Sequence, residues 1–196
     1  MKTTKKRPTT IIIALIFSLL IPAIGYYYLG ILYAVLFLIG YMVGFILWLL
    51  IPLHTPWTSL KVPYWLTLLA FLFLHKVEEN RMKFFEVVSE KITGGTVPEF
   101  SFGLVIGMLI LPIGAWLMIP LLIKRGQELG YYAIWTFFVS MGITELAHFF
   151  LPFLTEDPYS YFPGMASVVV LAPLAWWGLY RLIRKDYTGP SHNHSR

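Results

Sequence analysis

The chain has 196 residues, of which 58% are hydrophobic and 13% charged, where a soluble domain carries about 25% charged residues. With a mean hydropathy of +0.71, water is excluded as the solvent of most of its surface. The formal charge of +5 sits in flanks of apolar tracts, at Lys2, Lys5, Lys6 and Arg7, at Lys124 and Arg125, and at Arg181, Arg184 and Lys185. That distribution orients a membrane protein, so the expected partners are membrane lipids and not nucleic acid. The absence of cysteine excludes disulfides, thiolate ligands and cysteine nucleophiles, and leaves nitrogen and oxygen to hold any metal.

The expected fold class is an all-α integral membrane protein, a bundle of about six transmembrane helices over residues 10–185, between a basic N-terminus (1–9) and a disordered polar tail (186–196). Strand-like alternation, which a membrane barrel needs, is missing. The first helix spans Thr10 to Tyr28. Its basic start, the apolar Ile11 to Gly25 and a passable cleavage site at Ala23-Ile24-Gly25 also fit a signal peptide. The apolar stretch runs on through Tyr26, Tyr27 and Tyr28 to a tight turn at Gly30, which favours an uncleaved span.

The second helix, Ile31 to Leu53, exceeds the ~20 residues that cross a bilayer. The third covers Leu60 to Thr93, the fourth Phe102 to Ile123, the fifth Tyr131 to Leu154 and the sixth Pro163 to Arg184. Gly40-x-x-x-Gly44 and Gly103-x-x-x-Gly107 would let helices two and four approach neighbours, although such spacing is common in apolar helices. Pro163 suits the first turn of helix six. Six crossings place both termini in the cytoplasm, with Lys61, Lys124, Arg125 and the Arg181 to Lys185 cluster on that side and Glu156-Asp157 outside. In the tail, His192 and His194 read as a solvated terminus.

The informative residues lie in helices three and five. From Pro63 to Leu74 the third helix is apolar over only 12 residues, about 18 Å at ~1.5 Å per residue, and His75-Lys-Val-Glu78-Glu79 follows. The helix must either stop short and turn along the interface or carry these polar groups inside the bundle. His75 pairs with Glu78 at i,i+3 and with Glu79 at i,i+4. Glu145-Leu-Ala-His148, between Phe137-Phe138 and Phe149-Phe150, has the Glu-x-x-His spacing that converges on metals in helix bundles. Counted from Leu60 and Tyr131, His75 and Glu145 lie at matching depth, roughly 21–23 Å along their helices.

The candidate metal ligands are therefore His75, Glu79, Glu145 and His148, for a divalent transition ion such as zinc, iron or manganese. Glu78 is either a further ligand or a partner that orients His75. Glu86 lies about 16 Å farther along the helix axis and stays outside the site. Two plain structural readings stand beside these: a charged helix end at headgroup level for the first group, and a packing hydrogen bond for Glu145 and His148.

Three elements in order, His75-x-x-Glu78-Glu79, the lone His148 and Tyr161-Phe-Pro163-Gly164, resemble the HXXEE-domain family of membrane-associated proteins. The resemblance covers about residues 64–183 and leaves the first two helices outside. It marks which residues matter without naming a reaction. Glu78, Glu79, Glu145 and Tyr161 are the candidate catalytic groups.

Three functions fit these readings. One is a metalloenzyme acting on a lipidic or isoprenoid substrate, and another is a metal-free acid/base isomerase or hydratase of a lipidic alkene. The third is a small transporter or ion-binding membrane protein.

Overall fold

The computed structural model describes residues 6–52, 55–95, 97 and 101–184. Lys2, Lys5, Leu53, Lys185 and the tail with His192 and His194, all invoked above, lie outside the described residues. The helices are α1 (Pro8–Leu29), α2 (Ile31–Leu50), α3 (Trp57–Arg81), α4 (84–93), α5 (Phe102–Lys124), α6 (Glu128–Gly142) and α7 (Met165–Ile183). Among the described residues there is no strand. The architecture is an all-α membrane bundle, in which α1, α2, α3, α5 and α7 are long and apolar enough to cross a bilayer.

Its surface is inverted relative to a soluble protein. Ile12, Leu50 and Val169 are more than half exposed, while Ser18, Thr67, His75 and Thr136 are almost fully buried. Lipid solvates the former at no cost, whereas a polar side chain turned into lipid would be costly. The 15-residue α6 is short for a span but nearly all of it is buried. It is the central rod of the bundle.

Small residues let α2 reach that rod. A side chain at Gly40 would meet Ser140 Oγ, and one at Gly44 would meet the Thr136 backbone, so the two helices touch along the Gly40-x-x-x-Gly44 edge. Gly103 and Gly107 likewise face Tyr28 and Ile24 of α1. α1 itself is tied inward by Ser18, whose hydroxyl lies 2.7 Å from Tyr132 OH on α6.

Helix boundaries differ from the expected ones for local reasons. The third helix does not run to Thr93: Lys83 adopts φ 55°, a left-handed conformation that ends the hydrogen-bond ladder, and α4 starts anew at Phe84. Upstream of this break α3 is unbroken for 25 residues, so His75 and Glu79 lie inside the bundle and not along its surface. A wide π turn over Ala70–His75 resets the helical phase just before the polar residues.

The fifth helix is also shorter than expected. Trp176 Nε1 donates to Gly142 O at 2.6 Å, taking the carbonyl that a further α turn would use. The chain continues as 3-10 turns over Thr144–Phe149 and Leu151–Leu154. Pro163 precedes the last helix instead of opening it, because Gly164 at φ 96° separates it from Met165.

The bundle has two chemically distinct ends. At one, Lys6 Nζ donates to Leu49 O at 3.2 Å, the Arg7 N–H to Glu128 Oε2 at 3.0 Å and Thr55 Oγ1 to Arg181 O at 3.3 Å. The start of α1 and the end of α7 thus share the basic end. The opposite end gathers the close of α3, the 3-10 turns and the start of α7.

Candidate metal centre

At that second end, α3 and the first 3-10 turn bring His75, Glu79, Glu145 and His148 together, with one ligand atom of each within 4.8 Å of all the others. His75 Nε2 lies 3.4 Å from Glu79 Oε1 and 3.1 Å from Glu145 Oε2. His148 Nε2 lies 3.5 Å and 3.3 Å from the same two oxygens. The imidazoles meet edge to face, 4.9 Å between centroids. On the 3-10 turn, residues three apart are eclipsed, so Glu145 and His148 point the same way more directly than an α-helix would allow.

The far side of each imidazole is committed. His148 Nδ1 lies 2.5 Å from Pro163 O, and a carbonyl only accepts, so this nitrogen carries a proton. His75 Nδ1 lies 2.9 Å from Ser167 Oγ. The Ser167 hydroxyl donates its own proton to Gly164 O at 3.1 Å, which leaves Oγ to accept from His75 Nδ1–H. Both Nε2 atoms therefore turn towards the carboxylates. His75 Nε2 is fully buried and, although near Glu145, is out of line for a hydrogen bond and has no such partner.

Glu78 stands apart from the four. Its Oε1 accepts from the Gly164 N–H at 3.0 Å and the Ala166 N–H at 3.2 Å, and its Oε2 from the Ser167 N–H at 2.7 Å. Tyr161 OH adds a further hydrogen bond to Oε1. A helix start leaves such N–H groups without intrahelical partners and favours an anion. Glu78 supplies that anion from α3, where Gly164 as N-cap has no side chain to do so.

Gly164 completes the arrangement. Its positive φ suits glycine, and a Cβ there would run into the His148 ring. Tyr161 and Glu78, expected as catalytic groups, thus touch each other and the start of α7, while Glu79 and Glu145 face the histidines.

Lys76 forms a short ion pair with Glu79 Oε2 and rests 5.1 Å from the centre of the Phe71 ring. The i,i+3 spacing of Lys76 and Glu79 would have announced this pair. No spacing announces Ser167 or the Pro163 carbonyl as partners of the histidines.

The donor set fits a metal. Two imidazole nitrogens and two carboxylate oxygens suit zinc, iron or manganese. Bonds of about 2.1 Å to a tetrahedral ion would place all four ligand atoms about 3.4 Å from one another; the four nitrogen–oxygen separations are 3.1–3.5 Å, and the farthest pair of ligand atoms lies within 4.8 Å. Beside the cluster opens a cavity of about 870 Å³, lined by Glu79, Glu145 and His148, by apolar side chains chiefly of α1, α2 and α5, and along the α3–α4 segment by Lys76, Asn80, Lys83 and Glu86. Glu145, with 17% of its side chain exposed, is the most open of the four.

Fold and site together define a polytopic helical membrane protein with a buried two-histidine, two-glutamate cluster able to hold a metal ion. No family model, curated protein or solved structure matches the chain.

Proposed function

We propose that the protein is a membrane-embedded metalloenzyme acting on a lipidic or isoprenoid substrate, with a divalent transition ion held by His75, Glu79, Glu145 and His148. The observation that carries this reading is the orientation of the imidazoles. Each Nδ1 is turned to a protein oxygen, so each Nε2 faces two carboxylate oxygens at 3.1–3.5 Å, and His148 Nε2 is within hydrogen-bonding distance of Glu145 Oε2. Lone pair against anion is repulsive unless a proton or a cation lies between. One cation serves all four groups.

A bound ion would supply Lewis acidity or a water of lowered pKa. The chain's own residues provide the rest. Ser167 and Pro163 O fix the imidazoles, Glu78 and Tyr161 hold the start of α7 that carries those partners, and the apolar cavity admits the lipidic part of a substrate while excluding water. Glu78 and Tyr161 are thus positioning groups in this reading. The interlocking of His75, Glu78, His148, Tyr161, Pro163 and Gly164 in one unit also supports kinship with the HXXEE-domain family.

Metal-free acid/base chemistry is the second reading, favoured by Lys76. With that ammonium paired to Glu79, a single imidazolium among the two histidines balances both carboxylates, and Glu145 beside it becomes the proton carrier. Elemental analysis of protein purified without chelator separates the two. Near-stoichiometric zinc, iron or manganese is expected, lost in His75→Ala and His148→Ala and retained in Glu86→Ala. Wild-type protein free of metal would transfer the assignment to acid/base chemistry.

A further inference from the structure

The cavity beside the cluster carries hydroxyl groups that the protein leaves unsatisfied. Among the described residues, the buried oxygens Tyr33 OH, Tyr41 OH and Thr144 Oγ1 have no hydrogen-bond partner, and all three residues line this one cavity. Trp48 Nε1, Thr67 Oγ1 and Arg181 Nε are unpaired elsewhere. Other buried hydroxyls find partners, as in Ser18 with Tyr132 and Tyr64 with Trp116 O at 2.8 Å. A buried hydroxyl without a partner is costly, and three around one chamber point to what fills it.

Tyr33 is the one at the cluster. Only 6% exposed, its ring stacks on Phe85 at 5.7 Å and meets Phe84 edge-on at 6.4 Å. Phe84 in turn lies 5.0 Å from the His148 ring, and Tyr33, Phe84, Glu79 and His148 all line the same cavity. The two phenylalanines hold the phenol so that little freedom is lost when it donates. Tyr41, eight residues along α2 and about 12 Å deeper, and Thr144, next to Glu145, offer further polar contacts.

We infer that the cavity takes a lipid bearing a hydroxyl or carbonyl oxygen at its polar end, in preference to a bare hydrocarbon, and that Tyr33 is the positioning residue that donates its phenolic proton to that oxygen beside the His/Glu cluster. The inference rests on the reading of this cavity as the substrate chamber. Its size is of the order of those that enclose one small molecule, about 300–1,000 Å³. Tyr33 lies on α2, outside the segment that carries the family resemblance.

The test uses the full chain in phosphatidylcholine nanodiscs, with labelled hexadecan-1-ol as probe and hexadecane as competitor. Wild type should prefer the alcohol by about tenfold or more. Tyr33→Phe should weaken the alcohol about three- to tenfold, the loss of one neutral hydrogen bond, with hexadecane binding and metal content unchanged. Tyr132→Phe, whose residue pairs with Ser18 outside the cavity, should bind the alcohol as wild type does. A role confined to packing would not change the alcohol-to-hydrocarbon ratio.

Equal binding of alcohol and hydrocarbon by wild type overturns the inference without any variant, and so does an unchanged ratio in Tyr33→Phe, which would leave water as the partner of the phenol. Metal-free wild type that still shows the Tyr33-dependent preference would overturn the metalloenzyme reading and leave this inference standing. Metal-loaded protein without the preference would do the reverse.

Discussion

Gly164 concentrates several constraints in one residue. It adopts φ 96°, its amide donates to Glu78, its carbonyl accepts from Ser167, and its missing side chain leaves room for the His148 ring. Gly164→Ala should therefore cost about 1–3 kcal/mol from backbone strain, with a further loss from displacing His148, read as a lowered unfolding midpoint in detergent. An unchanged midpoint would show that the ring and this glycine do not share space as described. Ser167→Ala removes the acceptor of His75 Nδ1 without touching a ligand. Chelator competition should show metal affinity lowered about 10–100-fold in a protein that still folds, and equal affinity would separate Ser167 from the site.

Two packing contacts set the elements around the centre. The first is the Glu78 cap on α7, a charged acceptor for three backbone amides, where each hydrogen bond to a charged group contributes roughly 1.5–3 kcal/mol. Glu78→Ala should expose Gly164, Ala166 and Ser167 to faster amide hydrogen exchange, and Glu78→Gln, which keeps an acceptor, should do so less. Equal protection in Glu78→Ala would refute the cap. The second is the α2–α6 seam, where a Cβ at Gly44 would lie 2.6 Å from the Thr136 Cα. Backbone cannot yield as a side chain does, so Gly44→Ala should destabilise by about 1–3 kcal/mol. Gly114→Ala, in α5 with open space around it, should be neutral or stabilising by up to about 1 kcal/mol. Similar midpoints for the two variants would dismiss the seam.

For the whole molecule, the gathering of Arg7, Glu128, Thr55 and Arg181 at one end means that α1 begins and α7 ends on the same side. Basic flanks of this kind face the cytoplasm in membrane proteins, and we propose that orientation here, with the His/Glu cluster towards the outer face. Cysteines introduced at Thr3 and Ser191 should both be labelled only from the cytoplasm in intact cells, and labelling of either from outside would overturn the assignment. The 15-residue α6 is followed by 3-10 turns that end at Leu154, which rise about 2 Å per residue, more than an α-helix does.

Read from the residues alone, the solvent, the helical class and the identity of the four clustered side chains were all legible. Each follows from local quantities: apolar run length, the flanking charges, and the cost of placing His75, Glu145 and His148 among apolar neighbours. What the tertiary structure decided is what those side chains touch. The Trp176 indole that ends α6 at Gly142, the Ser167 and Pro163 oxygens that turn both imidazoles inward, and the capping by which Glu78 serves α7 instead of the cluster all join residues at least 15 positions apart. The π turn that ends at His75 and the left-handed Lys83 also escape a regular helical count. The period of a helix tells which residues share a face, but a hydrogen bond between helices depends on how two faces meet, and that is a property of the packed bundle.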